Sequence, residues 1–249
     1  MRIVGIIPAR LAAERLPRKP LAMLGDLPLV VRVLKQVERA SKLDQVVVAT
    51  DSQEIVDSVQ AHGGQAVMTS AAHPSGTDRV SEAAGLTNAD LVVNIQGDEP
   101  FVDPKDIDRV VEALEQEPGS AVTLMTPIGD ESELHDPNAV KVVTGDRGQA
   151  LYFSRAPIPF DRRKTGNLAQ SHRHLGLYGY STKILKRWTE LPPHPLEEIE
   201  ALEQLRALAA GINIRVLITQ SCLRGIDTDD DLAWARERLE KLGEAAFPR

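Results

Sequence analysis

"DQVVVATDSQEIVDSVQAHGGQAVMT", residues 44–69, decides the fold class. Its two ends, "DQVVVAT" (44–50) and "GQAVMT" (64–69), are short and rich in valine, as strands covered on both faces should be. Between them, 52–62 carries apolar residues at helical spacing. Asp51 with Glu54 matches the spacing of a capping box at the start of that helix. Strand, helix and strand in so few residues make a βαβ unit, and a βαβ unit calls for a parallel sheet.

The same rhythm extends outward from this stretch. "RIVGII" (2–7), "DLVVNI" (90–95) and "SAVTLMT" (120–126) read as further strands, with amphipathic segments near 28–40, 75–86 and 104–116. The 75–86 segment opens on Ser75 and Asp78, a second capping-box spacing. After about residue 127 the pattern changes. "NAVKVV" (138–143), "QALYFS" (149–154) and "HLGLYGY" (174–180) read as strands without long helices between them, and "RAPIPFDRRKTGN" as loop. Helices follow near 182–190 and 196–210, then a strand at 213–218 and a last helix from about 229. The expectation is one α/β domain over 1–249, a doubly wound, mostly parallel sheet, with an antiparallel insertion at about 127–180 serving substrate or dimer contacts.

Bulk properties exclude several classes. A net charge of −7 argues against a nucleic-acid binder, which would carry a basic face. The single cysteine, Cys222, excludes an internal disulfide and a multi-thiolate metal site, and is compatible with the cytoplasm. No run approaches the roughly 18 apolar residues of a membrane helix, so no membrane insertion is expected. G-x-G-x-x-G after the first strand, the P-loop and G-x-S-x-G are all missing, which disfavours a dinucleotide dehydrogenase, a P-loop kinase and an α/β-hydrolase.

Against the acidic whole, "IIPARLAAERLPRKP" (6–20) gathers Arg10, Arg15, Arg18 and Lys19 just beyond the first strand. They are either solvated surface charge or a cradle for a small anion. Each cation about 4 Å from a phosphate gains roughly 4 kcal/mol at an effective dielectric near 20, before desolvation, and four suit a triphosphate. Ligands of such sheets bind beyond the carboxyl ends of the strands, where this loop begins. "NIQGDEP" (94–100) ends another strand in Gln96, turns at Gly97 and presents Asp98, a candidate Mg²⁺ ligand. In "GIDTDDDL" (225–232) Thr228 can cap the last helix and Asp229 to Asp231 favour its positive end, leaving Asp227 as a possible second ligand. "HPSGTDR" (73–79) is a helix start whose Gly76 would also admit a base or ribose, with Arg79 one turn inside. His172 and His174 share a strand face, and His174 suits a hydrogen bond better than a metal. In "LEEIEALEQLRAL" (196–208), Leu196, Ile199, Leu202, Leu205 and Leu208 make an apolar stripe. Glu203 at its edge is either a salt-bridge partner of Arg206 or a clamp on a hydroxylated substrate.

Together "IIPAR", "RLPRKPL", "VVVATD", "HPSGTDR", "NIQGDEP", "DPNAVKVV", "ALYFSRAPIPFDR", "HLGLYGY", "LEEIEALEQLR" and "GIDTDDDL" resemble the 3-deoxy-manno-octulosonate (Kdo) cytidylyltransferases, in family order from residue 6 to 232. The resemblance implies a nucleotide-diphospho-sugar transferase-like fold, a cytoplasmic homodimer, and transfer of CMP from CTP to the sugar acid with Mg²⁺ as cofactor. On matching positions, Arg10 and Lys19 would bind the triphosphate with Arg15 assisting. Ala9, Ser75, Gly76 and Arg79 would frame the cytidine, and Asp98 and Asp227 would hold Mg²⁺. Gln96, Arg155, Arg162, His174, Tyr178, Glu203 and Gln204 would line the sugar pocket. Alternatives on the same scaffold are a cytidylyltransferase for an amino-substituted Kdo or a sialic acid, or a non-catalytic nucleotide-binding regulator. The chain departs from the family pattern at Glu14, where a small hydroxyl residue is usual, at Arg18, where glycine is usual, and at Ser181, where arginine is common.

Overall fold

A computed structural model describes residues 1–11, 16–221 and 224–243. The chain divides into two compact units, one of residues 1–111 with the segment after 222, the other of residues 112–222.

In the first unit, β1 (Ile3–Ala9) pairs in parallel with β4 (Gln45–Thr50) on one side and β6 (Leu91–Asn94) on the other, and β4 pairs with β5 (Ala66–Met68). A short hairpin, β2 (Met23–Leu24) with β3 (Leu27–Pro28), leads into α1 (Leu29–Val37). α2 (Gln53–Ala61) and α3 (Gly76–Leu86) supply the remaining crossovers, and α4 (Pro104–Gln116) follows β6, its residues up to 111 belonging to this unit. The strands are apolar because both faces are covered: Val4, Ile6, Ile7, Val47, Val48, Val92 and Val93 are fully buried. α9 (Asp229–Leu242) belongs to this unit, and Thr228 caps it in a reciprocal capping box with Asp231.

In the second unit, β7 (Ala121–Pro127) lies between β11 (Ile214–Ile218), parallel to it, and β10 (His172–Ser181), antiparallel to it. β8 (Lys141–Thr144) and β9 (Ala150–Ser154) form an antiparallel pair, and β8 also meets β10. α5 (Glu131–His135), α6 (Thr182–Thr189), α7 (Pro195–Glu200) and α8 (Gln204–Ala209) complete it. The α/β class, its mostly parallel pairing and the antiparallel addition are those expected.

Three local expectations are corrected. Asp51 does not cap α2; Ser52 occupies the N-cap position, and Asp51 instead pairs with Arg79 at 3.1 Å. An arginine with only 4% of its surface exposed needs a counter-charge more than a helix end needs that particular cap. The helix expected over 196–210 is two helices, because Ala201 takes a left-handed conformation (φ 51°) between α7 and α8. The apolar stripe breaks with it: Leu202 and Leu205 are buried, whereas Leu196 and Ile199 are 39% and 80% exposed. Glu197 accounts for the break, since it serves the capping box opening α7 and also receives the forked guanidinium of Arg206 from α8. The strand expected at 138–143 begins only at Lys141.

Candidate active site

The first unit carries a cavity of about 720 Å³ beyond the carboxyl ends of β1 and β6. Ala9 and Arg10 continue β1 into it, and Gln96, Gly97 and Asp98 leave β6 along its wall. The two chain segments approach closely here: a Cβ on Gly97 would stand 2.8 Å from the Pro8 carbonyl oxygen, so only glycine fits. Arg10 is exposed at the rim. Arg15 and Glu14 lie outside the described residues.

Lys19 opens a turn of 3₁₀ helix (Lys19–Leu21) directly after Arg18, whose backbone is left-handed at φ 56°, ψ 30°. The position usually held by glycine is thus one that demands a glycine-like conformation, and Arg18 adopts it with its guanidinium paired to Glu54. That turn aims Lys19 at two carboxylates. Its Nζ donates to Asp98 Oδ2 at 2.5 Å and to Asp227 Oδ1 at 2.9 Å. Burial disfavours the charged ammonium, but the two carboxylates outweigh it and hold the Lys19 pKa above the usual lysine value. Asp98 and Asp227, 129 positions apart by their numbers, are joined through the main chain as well, because Ile226 N–H donates to the Asp98 carbonyl at 3.0 Å.

Oxygen donors converging on one cation are the hard-ligand chemistry of Mg²⁺. Among the described residues no group of three or more His, Cys, Asp or Glu side chains is arranged to hold a metal ion. An ion at Asp98 and Asp227 would therefore complete its shell from phosphate and water, which is how Mg²⁺ is commonly held at phosphate sites. The residues present fit the group.

α3 supplies the opposite wall. Ser75 caps it, accepting from Asp78 N at 3.2 Å and donating to the Asp78 carboxylate at 2.6 Å. Gly76 faces the cavity, where an added Cβ would meet only Pro8, at 3.7 Å. Arg79 reaches the cavity with its guanidinium fixed by Thr69 Oγ1 at 2.6 Å and by Asp51. The cavity also exposes His73, a residue the sequence did not single out although it begins a quoted motif. Its Nε2 meets Glu82 Oε2 at 2.5 Å, and Glu82 also accepts from Ser70 N at 2.8 Å, so one carboxylate pins both sides of the 70–73 turn.

Of the expected sugar-side residues, Gln96 lines this same cavity, and the others belong to the second unit. There β10 brings His174 and Tyr178 together, ring centroids 5.3 Å apart, with Phe153 5.1 Å beyond His174. A register shift between Leu175 and Tyr178 turns the Leu175 and Leu177 carbonyls toward the Thr123 hydroxyl, whose single hydrogen they share. Thr123 Oγ1 is therefore the acceptor for His174 Nε2 at 3.1 Å, fixing the Nε2–H tautomer. Burial, with the neighbouring Arg173 charge, pushes the His174 pKa down to about 3. Burial also drives the Tyr178 phenol well above its usual value, and the Glu203 charge adds to this.

Trp188 of α6 packs edge-on against Tyr178 and donates Nε1–H to Glu203 Oε1 at 3.0 Å. Neither Trp188 nor Thr123 was flagged by the sequence, since each meets the cluster only through tertiary packing. Gln204, buried, begins α8 beside Glu203. Arg155 clasps main-chain carbonyls, Glu200 O at 2.7 Å and Pro137 O at 2.8 Å, while Arg162 stands exposed on the 155–171 loop. Ser181 caps α6 and donates to the Pro118 carbonyl at 2.8 Å, a local duty that a hydroxyl fills.

A family profile described as cytidylyltransferase matches residues 4–214. A 3-deoxy-manno-octulosonate cytidylyltransferase of Syntrophobacter fumaroxidans is 48% identical, covering 93% of this chain and 94% of that protein. One from Thermodesulfovibrio yellowstonii is 43% identical, covering 96% and 98%. The solved structure of a CMP:2-keto-3-deoxy-manno-octonic acid synthetase complexed with CTP superimposes with a TM-score of 0.93 at 36% identity, over 98% of this chain and 100% of that one. Fold, cleft and relatives define a nucleotidyltransferase. The chain belongs to the cytidylyltransferase family, and within it to the 3-deoxy-manno-octulosonate cytidylyltransferases.

Proposed function

We propose that this chain transfers CMP from CTP to the anomeric hydroxyl of Kdo, releasing pyrophosphate, and so activates the sugar acid for lipopolysaccharide synthesis. The observation that carries this is the meeting of Lys19, Asp98 and Asp227 in a cavity flanked by Arg10 and the start of α3. Phosphoryl-type transfer depends on positioning and charge neutralisation, and these residues offer both without a covalent nucleophile. The bond formed joins the anomeric oxygen to the α-phosphorus; the bonds broken are the hydroxyl O–H, whose proton is released to solvent, and the link from that phosphorus to the leaving pyrophosphate.

Arg10 and Lys19 take the triphosphate, and the Gly76 main chain and Arg79 take the cytidine. With the Ser75 hydroxyl engaged in capping α3, its part is to shape that wall. Asp98 and Asp227 hold Mg²⁺, which when bound offsets the charge that builds on the phosphates. His174, Tyr178, Glu203 and Gln204 receive the sugar acid, with Gln96, Arg155 and Arg162 as further contacts. The neutral His174 imidazole serves as a fixed hydrogen-bonding group and not as a charge. We further propose a cytoplasmic homodimer, in keeping with the family resemblance and with the exposed Phe160 and Ile199 of the second unit, both at least 80% accessible. No helix among the described residues is long and apolar enough to cross a membrane.

Pyrophosphate release measured with each of the four nucleoside triphosphates, with and without Kdo, tests the reaction. Turnover should require CTP and Kdo together and fall well below that level with N-acetylneuraminate. Comparable or faster turnover with the sialic acid would overturn the sugar assignment.

A further inference from the structure

The Lys19 ammonium occupies the space between the two carboxylates that would hold a metal ion. It bonds one oxygen of Asp98 and one of Asp227, and all three side chains are partly buried, 18%, 23% and 40% exposed. The Ile226–Asp98 main-chain bond ties their backbones, and Gly225 lies against the Asp98 carboxylate, where an added Cβ would be 3.6 Å from Cγ. Two anions sharing one partner repel each other, and a cation between them relieves that repulsion. Lysine is suited to be a replaceable one, being a compact charge on a flexible stem of four carbons. Arginine in the same place would be a rigid, forked partner.

We infer that Lys19 is a resident counter-ion which a divalent metal must displace from Asp98 and Asp227, and that the nucleotide makes the displacement possible by offering the ammonium phosphate oxygens instead. The consequence is an order of events: metal binds with CTP or after it, and weakly before. Lys19 then has two successive sets of partners, the carboxylates in the empty cleft and the phosphates in the filled one. The inference rests on the assignment of Asp98 and Asp227 as metal ligands.

The test is a titration of the full chain with Mn²⁺, followed by electron paramagnetic resonance, with no nucleotide present. Lys19→Met should bind Mn²⁺ at least about ten-fold more tightly than wild type, ten-fold being the lower end of the change for a single charge-assisted hydrogen bond, where Lys19 makes two. Lys19→Arg keeps a cation in place and should stay at or below wild-type affinity. Adding CTP should strengthen Mn²⁺ binding far more in wild type than in Lys19→Met. Equal or weaker binding by Lys19→Met without CTP, while Asp98→Asn abolishes the CTP-dependent binding, would overturn the counter-ion role and leave the metal site standing. Mn²⁺ binding with CTP that ignores both Asp98→Asn and Asp227→Asn would overturn the metal site, and the counter-ion role with it. A second measurement needs no charge-removing variant. In wild type labelled with ¹⁵N-lysine, the Lys19 Nζ resonance, assigned through Lys19→Arg, should move with CTP plus Mg²⁺ and hold still with equal Mg²⁺ alone; movement with Mg²⁺ alone would overturn the inference.

Discussion

The indole of Trp188 donates to the carboxylate of Glu203 across 3.0 Å, joining α6 to the first residue before α8. A carboxylate beside buried aromatic rings needs such donors to stay ionised and in place. Trp188→Phe keeps most of the packing and deletes only the N–H. We expect KM for Kdo to rise roughly ten- to hundred-fold, the range set by one charged hydrogen bond, with KM for CTP little changed. Steady-state kinetics with each substrate varied in turn decides it; equal rises for both would mean the bond supports the unit as a whole and not the sugar pocket.

Asp98→Asn and Asp227→Asn should each lower kcat by roughly 10²–10³-fold, the scale on which a preorganised charge at a transferring group is lost. Because both act through one ion, the double variant should be little worse than either single one. EDTA should silence the wild type, and Mg²⁺ should restore it. Full activity in EDTA would remove the metal from the reaction.

Arg18 offers a test of backbone strain alone. Arg18→Gly and Arg18→Ala both remove the exposed pairing with Glu54, which solvent screens in any case. Only glycine relaxes the left-handed backbone before Lys19. Calorimetry should place the melting temperature of Arg18→Gly roughly 2–4 °C above that of Arg18→Ala. Equal values would mean the turn rearranges when the side chain is cut back.

His174 should make the protein acid-sensitive before any carboxylate does. The unfolded imidazole accepts a proton near pH 6.5, whereas the folded one resists until about pH 3. Protons therefore favour the unfolded chain as pH falls below about 6.5, by up to roughly 1.4 kcal/mol per unit, and the contribution is absent above that pH. Urea unfolding at pH 7, 6 and 5 should show this decline in wild type and a shallower one in His174→Gln. Parallel declines would place the acid sensitivity elsewhere.

Much of this architecture was legible in the sequence. Valine-rich strands covered on both faces announce themselves by composition, so β1, β4 and β6 were found within a residue or two. Asp98 and Asp227 were visible because each follows or precedes a regular element without being needed by it. Their meeting, and the ammonium between them, were not visible: local pattern carries no information on which chain ends a sheet will juxtapose. Ala201 shows the opposite failure. The apolar spacing through 196–208 ran on as though one helix were present, and only the competing demands on Glu197 divided it. Trp188 was invisible for a related reason, its partner Glu203 lying 15 residues further along the chain, beyond α7.

The bond from Ile226 to Asp98 also sets a timetable for the nascent chain. The first unit is discontinuous: residues 1–111 are translated, then the entire second unit, and only then the stretch bearing Asp227 and α9. Until that stretch emerges, the cleft lacks Asp227, the second carboxylate bonded to Lys19. On the proposed roles of Asp98 and Asp227, a ribosome-stalled chain ending in the second unit should be inert, and competence for chemistry should arrive only after both units have been made.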